Sequence, residues 1–187
     1  MKKRVLVVLA EGFEDVEAVA PIDVLNRAGV EVTVAGLKPG PVNAAYGNTI
    51  VPDLSVAEVG SELYDGIVLP GGVYNADSLA ASPEVLSLVK RHYEAKKLVA
   101  AICASPGTVL AEAAGILKGH RAASAPGFED KVKAAGAEFT DEEVTVDGHV
   151  ITARGPGAAL RFGLKLAGYL TGPETSEKLA GLWRIDL

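Results

Sequence analysis

A chain of 187 residues is long enough to bury one substantial core, and a single domain over residues 1–187 is the expectation. A net charge of −6 offers no basic face to a nucleic acid, and 49% apolar with 22% charged residues is the balance of an ordinary globular protein. One cysteine rules out an internal disulfide and suits a reducing compartment.

Met1-Lys2-Lys3-Arg4 followed by Val5–Ala10 imitates a signal peptide, but the apolar run stops at Glu11, short of an h-region. It reads better as a buried strand. No run approaches transmembrane length, so a cytoplasmic protein without a membrane partner is expected. A helix follows from about Glu14 to Ala28, stopped by Gly29, with Pro21 expected to kink or interrupt it. Val30–Leu37 is a second strand, and Val42–Val51 suggests two short strands around Gly47-Asn48. Gly66–Leu69 is an all-apolar strand running into Pro70-Gly71-Gly72, and Ser82-Pro83-Glu84 opens a helix through about Ala95.

Leu98–Ile102 reads as another buried strand, with Cys103 where it ends and a helix following to Ala114 and Gly115. Ala122–Ala125 suggests a short strand and Glu129–Ala135 a short helix. Glu143–Val146 and His149–Ala153 flank Asp147-Gly148, a strong hairpin signal. Gly155-Pro156-Gly157 leads into a helix to about Leu170, and Gly172-Pro173 starts a last one before the tail ends at Leu187. Short apolar strands alternating with helices imply an α/β fold: a doubly wound, mostly parallel sheet sandwiched by helices, with a small antiparallel hairpin.

In such sheets chemistry gathers at the carboxyl ends of the strands. Cys103 lies there on a strand-to-helix turn, with Ser105 read as the helix N-cap and Pro106 as its first residue. The helix dipole favours a thiolate, and the small Ala101 and Ser105 suit a nucleophile elbow. A lone cysteine can equally be a small buried hydrophobe; the elbow context argues for a nucleophile. Gly71-Gly72 is either a tight turn or a pair of backbone donors, with Gly72 N–H and Ala104 N–H as candidate oxyanion donors. Glu14 and Asp15 read as first-turn charges. Glu17 borders a stripe of Val16, Val19 and Ala20 that would pack inward, and spacing alone makes it a solvated helix carboxylate. His92, His120 and His149 read as surface residues, and none neighbours Cys103 in sequence. No metal-ligand cluster, phosphate loop or dinucleotide fingerprint is present in the sequence.

Ala100–Ala104, Val68–Gly72, Glu14–Glu17 and Arg154–Gly157, in this order and spacing, resemble the DJ-1/PfpI superfamily and within it the DJ-1 branch. That resemblance implies a homodimeric flavodoxin-like fold. It implies Cys103 as nucleophile, Glu17 as the protonated acid bonded to the thiolate, and Gly71, Gly72 and Ala104 as the backbone pocket. The implied activity is conversion of methylglyoxal or glyoxal to hydroxy acids without glutathione or any cofactor, or a related deglycase reaction. The implied alternative is a sensor or chaperone acting through oxidation of Cys103.

Two positions depart from the family pattern. Ala125 stands where a histidine precedes the proline at Pro126, and Tyr46 stands where an arginine lines an anion pocket at the dimer interface; Arg27 matches the other pocket arginine. PfpI-type peptidases place a histidine after the cysteine, where this chain has Ala104. Glutamine amidotransferases want flanking glycines and a downstream His-x-Glu, whereas His92-Tyr93-Glu94 lies upstream.

Overall fold

A computed structural model describes residues 2–186; Met1 and Leu187, the two ends of the expected domain, lie outside the described residues. In chain order the elements are β1 (Arg4–Leu9), α1 (Asp15–Arg27), β2 (Glu31–Gly36), β3 (Val42–Asn43), β4 (Thr49–Ile50), β5 (Leu54–Ser55), α2 (Val56–Val59), β6 (Gly66–Leu69), α3 (Val73–Ala80) and α4 (Pro83–Glu94). Then come β7 (Leu98–Ile102), an elbow helix (Pro106–Ala113), β8 (Arg121–Ala122), α5 (Glu129–Ala134), β9 (Glu138–Phe139), β10 (Val144–Asp147), β11 (Val150–Ala153), α6 (Ala159–Thr171) and α7 (Pro173–Trp183).

The main sheet has seven strands in the order β10-β11-β7-β6-β1-β2-β5. Every pair is parallel except the β10–β11 hairpin, where Asp147 faces Val150 across the turn. Helices cover both faces, which explains why the central strands read as unbroken apolar runs rather than alternating ones. On β1, Leu6 and Val8 point into one core with β6, α3, α4 and the elbow helix. Val5, Val7 and Leu9 point into the other, with α1, α6 and α7. The chain leaves β1 toward β2 on one side and toward β6 on the other, so the carboxyl ends of β1, β6 and β7 open onto one crevice. Among the described residues no helix is long and apolar enough to cross a membrane.

Several local expectations change. Helix α1 runs unbroken through Pro21. On its buried side the Pro21–Val24 step lies against Gly163 of α6, where an added Cβ would come within 2.9 Å of Val24 Cγ2. Ser105 is not a helix cap: its backbone is already helical (φ −66°, ψ −34°) and its hydroxyl donates to Pro70 C=O instead. The helix after it is wound as a π-helix, ending with Ala114 N–H donating to Val109 C=O at 2.8 Å. Glu14 is the cap of α1, its Oε2 accepting Glu17 N–H at 2.8 Å. Asp15 accepts from the N–H groups of Tyr46 and Asn48, so it anchors the β3–β4 turn rather than merely facing the helix dipole.

The inward stripe expected on α1 is reversed. Val16 and Val19 are each 49% exposed, while Glu17 is fully buried. His92 is fully buried too, correcting its reading as a surface residue, and His120 and His149 are half-buried.

Candidate active site

Cys103 ends β7 in the left-handed region at φ +65°, one of only three non-glycine residues there among those described. For an L residue that conformation costs roughly 1–2 kcal/mol, so the turn must be held from outside. It is held on both sides. Cys103 N–H donates to Ala153 C=O at 2.9 Å, and Cys103 C=O accepts from Ala125 N–H at 2.8 Å and from the Ser124 hydroxyl at 2.7 Å. The side chain is left half-buried and pointing over the crevice.

Gly71 and Gly72 supply the floor. An added Cβ on Gly71 would fall 2.3 Å from Glu17 Oε2 and 2.4 Å from Cys103 Cβ, so both side chains converge on a point that only glycine leaves free. Gly72 has φ +89°, and a Cβ there would fall 2.2 Å from Gly12 C=O. Gly71 N–H donates to Glu17 Oε2 at 2.9 Å, whereas Gly71 C=O accepts Glu14 N–H at 3.1 Å. In a trans peptide the N–H opposes the C=O, so that second bond turns Gly72 N–H toward Cys103, which it reaches together with Ala104 N–H.

Glu17 Oε1 is buried with no hydrogen-bond partner of standard geometry. The Glu17 carboxyl lies beside the Cys103 side chain, with which it interacts. Burial pushes the Glu17 carboxyl up to about 7, helped by the nearby Glu14 carboxylate and opposed by Cys103 and by Gly71 N–H. With Glu17 ionised, burial and that carboxylate push the Cys103 thiol up to about 12, against the pull of the Gly72 and Ala104 N–H groups. When Glu17 carries the proton its charge no longer contributes and its hydrogen bond turns to favour the thiolate. The pair therefore shares a proton and titrates as a unit, with a protonated Glu17 and the Gly72 and Ala104 N–H groups favouring the thiolate and burial opposing it.

A hollow of about 300 Å³ adjoins the elbow, lined by Pro126, Glu143, Arg154, Gly155, Pro156, Gly157 and Ala158. Pro126 and Arg154 each lie one residue from a backbone partner of Cys103.

The fold thus brings Cys103, Glu17, Gly71, Gly72 and Ala104 together, and it overturns the solvated reading of Glu17. Sequence reasoning missed the fully buried Asn75 behind Gly71 and read Ser105, equally buried, as a helix cap. Nothing in the spacing of Asn75 signals its place.

The chain matches the DJ-1/PfpI family over residues 3–168. It is 35% identical over 178 residues to a glutathione-independent glyoxalase of Caenorhabditis elegans, covering 95% of this chain and 94% of the relative. It belongs to the DJ-1/PfpI family. A deglycase of Thermococcus kodakarensis is 37% identical over 154 residues, covering 82% of this chain and 91% of that one. The crystal structure of Drosophila melanogaster DJ-1beta superposes with a TM-score of 0.94 at 38% identity, each chain covered completely.

Within the DJ-1/PfpI fold, this chain brings no histidine to the cysteine among the described residues. His149 C=O accepts Val99 N–H at the start of β7, four residues or about 13 Å of strand before Cys103. His120 packs against His149 with ring centroids 6.2 Å apart, and His92 C=O accepts Lys97 N–H at that same end. Position 125 is a buried alanine. Arg27, in the last turn of α1, pairs with Asp23 at 2.9 Å, and Tyr46 is 79% exposed.

Proposed function

We propose that the protein converts small α-oxoaldehydes to hydroxy acids without glutathione, with Cys103 as nucleophile and Glu17 as the proton carrier. The observation that carries this reading is the strained elbow that aims a half-buried sulfur at one buried carboxyl oxygen and two backbone N–H groups. The names of the nematode and archaeal relatives, a glyoxalase and a deglycase, support the substrate class.

Glu17 Oε2 accepts Gly71 N–H, so in the acid form Oε2 is the carbonyl oxygen and Oε1 bears the proton. The Cys103 thiolate adds to the aldehyde carbon; the C–S bond forms and the carbonyl electron pair moves to oxygen. Gly72 and Ala104 N–H groups stabilise that charge until it is protonated to the hemithioacetal. Glu17 then moves a proton from the former aldehyde carbon to the neighbouring ketone carbon through an enediol. The first carbon is oxidised to a thioester as the second is reduced to an alcohol, so the substrate supplies its own oxidant. Water hydrolyses the thioester, releasing the hydroxy acid and the thiol. The related deglycase reaction would begin with the same sulfur attack on an early glycation adduct. With Ala125 in place of a histidine, Glu17 is the one acid–base side chain in this scheme.

The test is lactate formation from methylglyoxal by purified protein without glutathione. Lactate at a rate proportional to enzyme is expected; none above the buffer rate overturns the reading.

The same reading includes a homodimer. Val16 and Val19 of α1 and Leu160 of α6 expose an apolar hollow of about 460 Å³ on the outer side of the helix that carries Glu17. Sedimentation should give a dimer at micromolar concentration and a monomer for Val16→Asp/Val19→Asp.

A further inference from the structure

The Pro70 carbonyl, directly before Gly71, accepts two side-chain hydrogen bonds: Ser105 Oγ at 2.6 Å and Asn75 Nδ2 at 2.8 Å. Asn75 Oδ1 in turn accepts Ala10 N–H at 2.7 Å. One amide and one hydroxyl thus tie together the ends of β1 and β6 and the elbow after β7. Both side chains are fully buried. One donor would satisfy a buried carbonyl, and burying a second polar side chain costs desolvation that apolar packing would avoid. The arrangement asks for a reason beyond satisfaction.

The geometry supplies one. The Pro70–Gly71 peptide is trans, so clamping its oxygen on one side fixes its N–H on the other. That N–H is the donor to Glu17 Oε2 at 2.9 Å. A peptide free to rotate would let either carboxyl oxygen carry the acid proton; held in place, its N–H occupies Oε2 and leaves the proton to Oε1, the oxygen with no other partner.

We propose that Asn75 and Ser105 are positioning residues which, through the Pro70–Gly71 peptide, keep the Glu17 proton on Oε1, free to be donated to Cys103. The proposal rests on the thiolate–acid reading of the site and adds to it two residues that touch neither substrate nor sulfur.

The experiment is thiolate absorbance and alkylation rate against pH for the wild type, Ser105→Ala, Ser105→Thr, Asn75→Ala and the Asn75→Ala/Ser105→Ala pair, repeated in a Glu17→Leu background. Losing both donors should cut the thiolate fraction at neutral pH about three- to tenfold. Each single alanine should cut it less than half as far, because the remaining donor still holds the oxygen. Ser105→Thr, which keeps the hydroxyl, should restore it. In the Glu17→Leu background the same substitutions should change nothing, since their effect passes through the carboxyl.

A pair that titrates like the wild type overturns the proposal. So does an equal shift with and without Glu17, which is what loosened packing alone would produce. Should the pair fail to fold, Ser105→Ala decides: an unchanged titration, or a change that persists without Glu17, overturns the clamp. The thiol titration is independent of turnover, so failure to form lactate with an intact clamp would fault the proposed reaction and leave this inference standing.

Discussion

At the amino end of the sheet His92 is buried with both ring nitrogens engaged: Nδ1 donates to Leu88 C=O at 2.8 Å, and Nε2 accepts Tyr64 N–H at 3.1 Å. At the carboxyl end Glu17 is buried just as deeply, yet its Oε1 is left without a partner and the carboxyl lies beside a sulfur held on a strained turn. Both are titratable groups inside the core. One is satisfied in its neutral form and ties the start of β6 to α4; the other is kept short of a partner beside a nucleophile. The difference separates a histidine that holds the fold from a carboxyl poised for proton transfer.

The strongest way to break this contrast is at the sulfur. Cys103→Ser keeps the volume but loses the acidic nucleophile, so hydroxy-acid formation should fall by at least about a thousandfold while thermal unfolding stays near the wild-type midpoint. Turnover that survives in this variant would place the chemistry elsewhere. His92→Phe should do the reverse. It leaves Tyr64 N–H buried and unpaired, so a loss of about 2–3 kcal/mol in denaturant unfolding is expected, with kcat of the folded fraction unchanged.

The pH dependence carries the same contrast with opposite signs. Burial lowers the His92 pKa in the folded state, so the unfolded chain binds the extra proton. The stability His92 contributes is present above about 6.5 and is lost as pH falls below it. His92→Phe should flatten that slope between about pH 6.5 and 5. Glu17 behaves oppositely: its folded pKa, pushed up to about 7, lies above that of the unfolded chain. Its contribution is full below the unfolded value and is lost as pH rises through about 7. Glu17→Gln should therefore be more stable than the wild type at pH 8, by about 1–3 kcal/mol, and the gap should close toward pH 5. The same variant should have little turnover, because an amide donates to sulfur but carries no proton across. A gap independent of pH would show that Glu17 is not held as an acid.

The smallest expected effect concerns strain alone. At φ +65°, Cys103→Gly should be about 0.5–1 kcal/mol more stable than Cys103→Ala, the inverse of their usual order in a strand or helix. Equal melting points for the two would mean that the elbow stores no strain.

Much of this architecture was legible in the chain itself. Five- and six-residue apolar runs such as Val5–Ala10 and Leu98–Ile102 admit few readings except strands buried on both faces, and the Asp147-Gly148 turn and the β3–β4 pair fell where glycine and asparagine placed them. Helix α3 was missed because it starts from Gly72 with no side-chain cap, so no local signal marks its beginning. Within the site, Cys103 and the glycine pair could be read because the strand-to-helix turn and the close approach of backbone restrict residue type locally. Glu17 could not be read from its spacing. The face of α1 that meets the core is chosen by where α6 packs and where Gly71 offers an N–H, and that choice turns Val16 and Val19 outward. The histidines failed for the same reason. A residue type fixes which atoms can donate or accept, but whether His92 meets Tyr64 or Cys103 depends on which end of the sheet the crossovers carry it to. That is settled by contacts between segments far apart in the chain, to which local sequence pattern is blind.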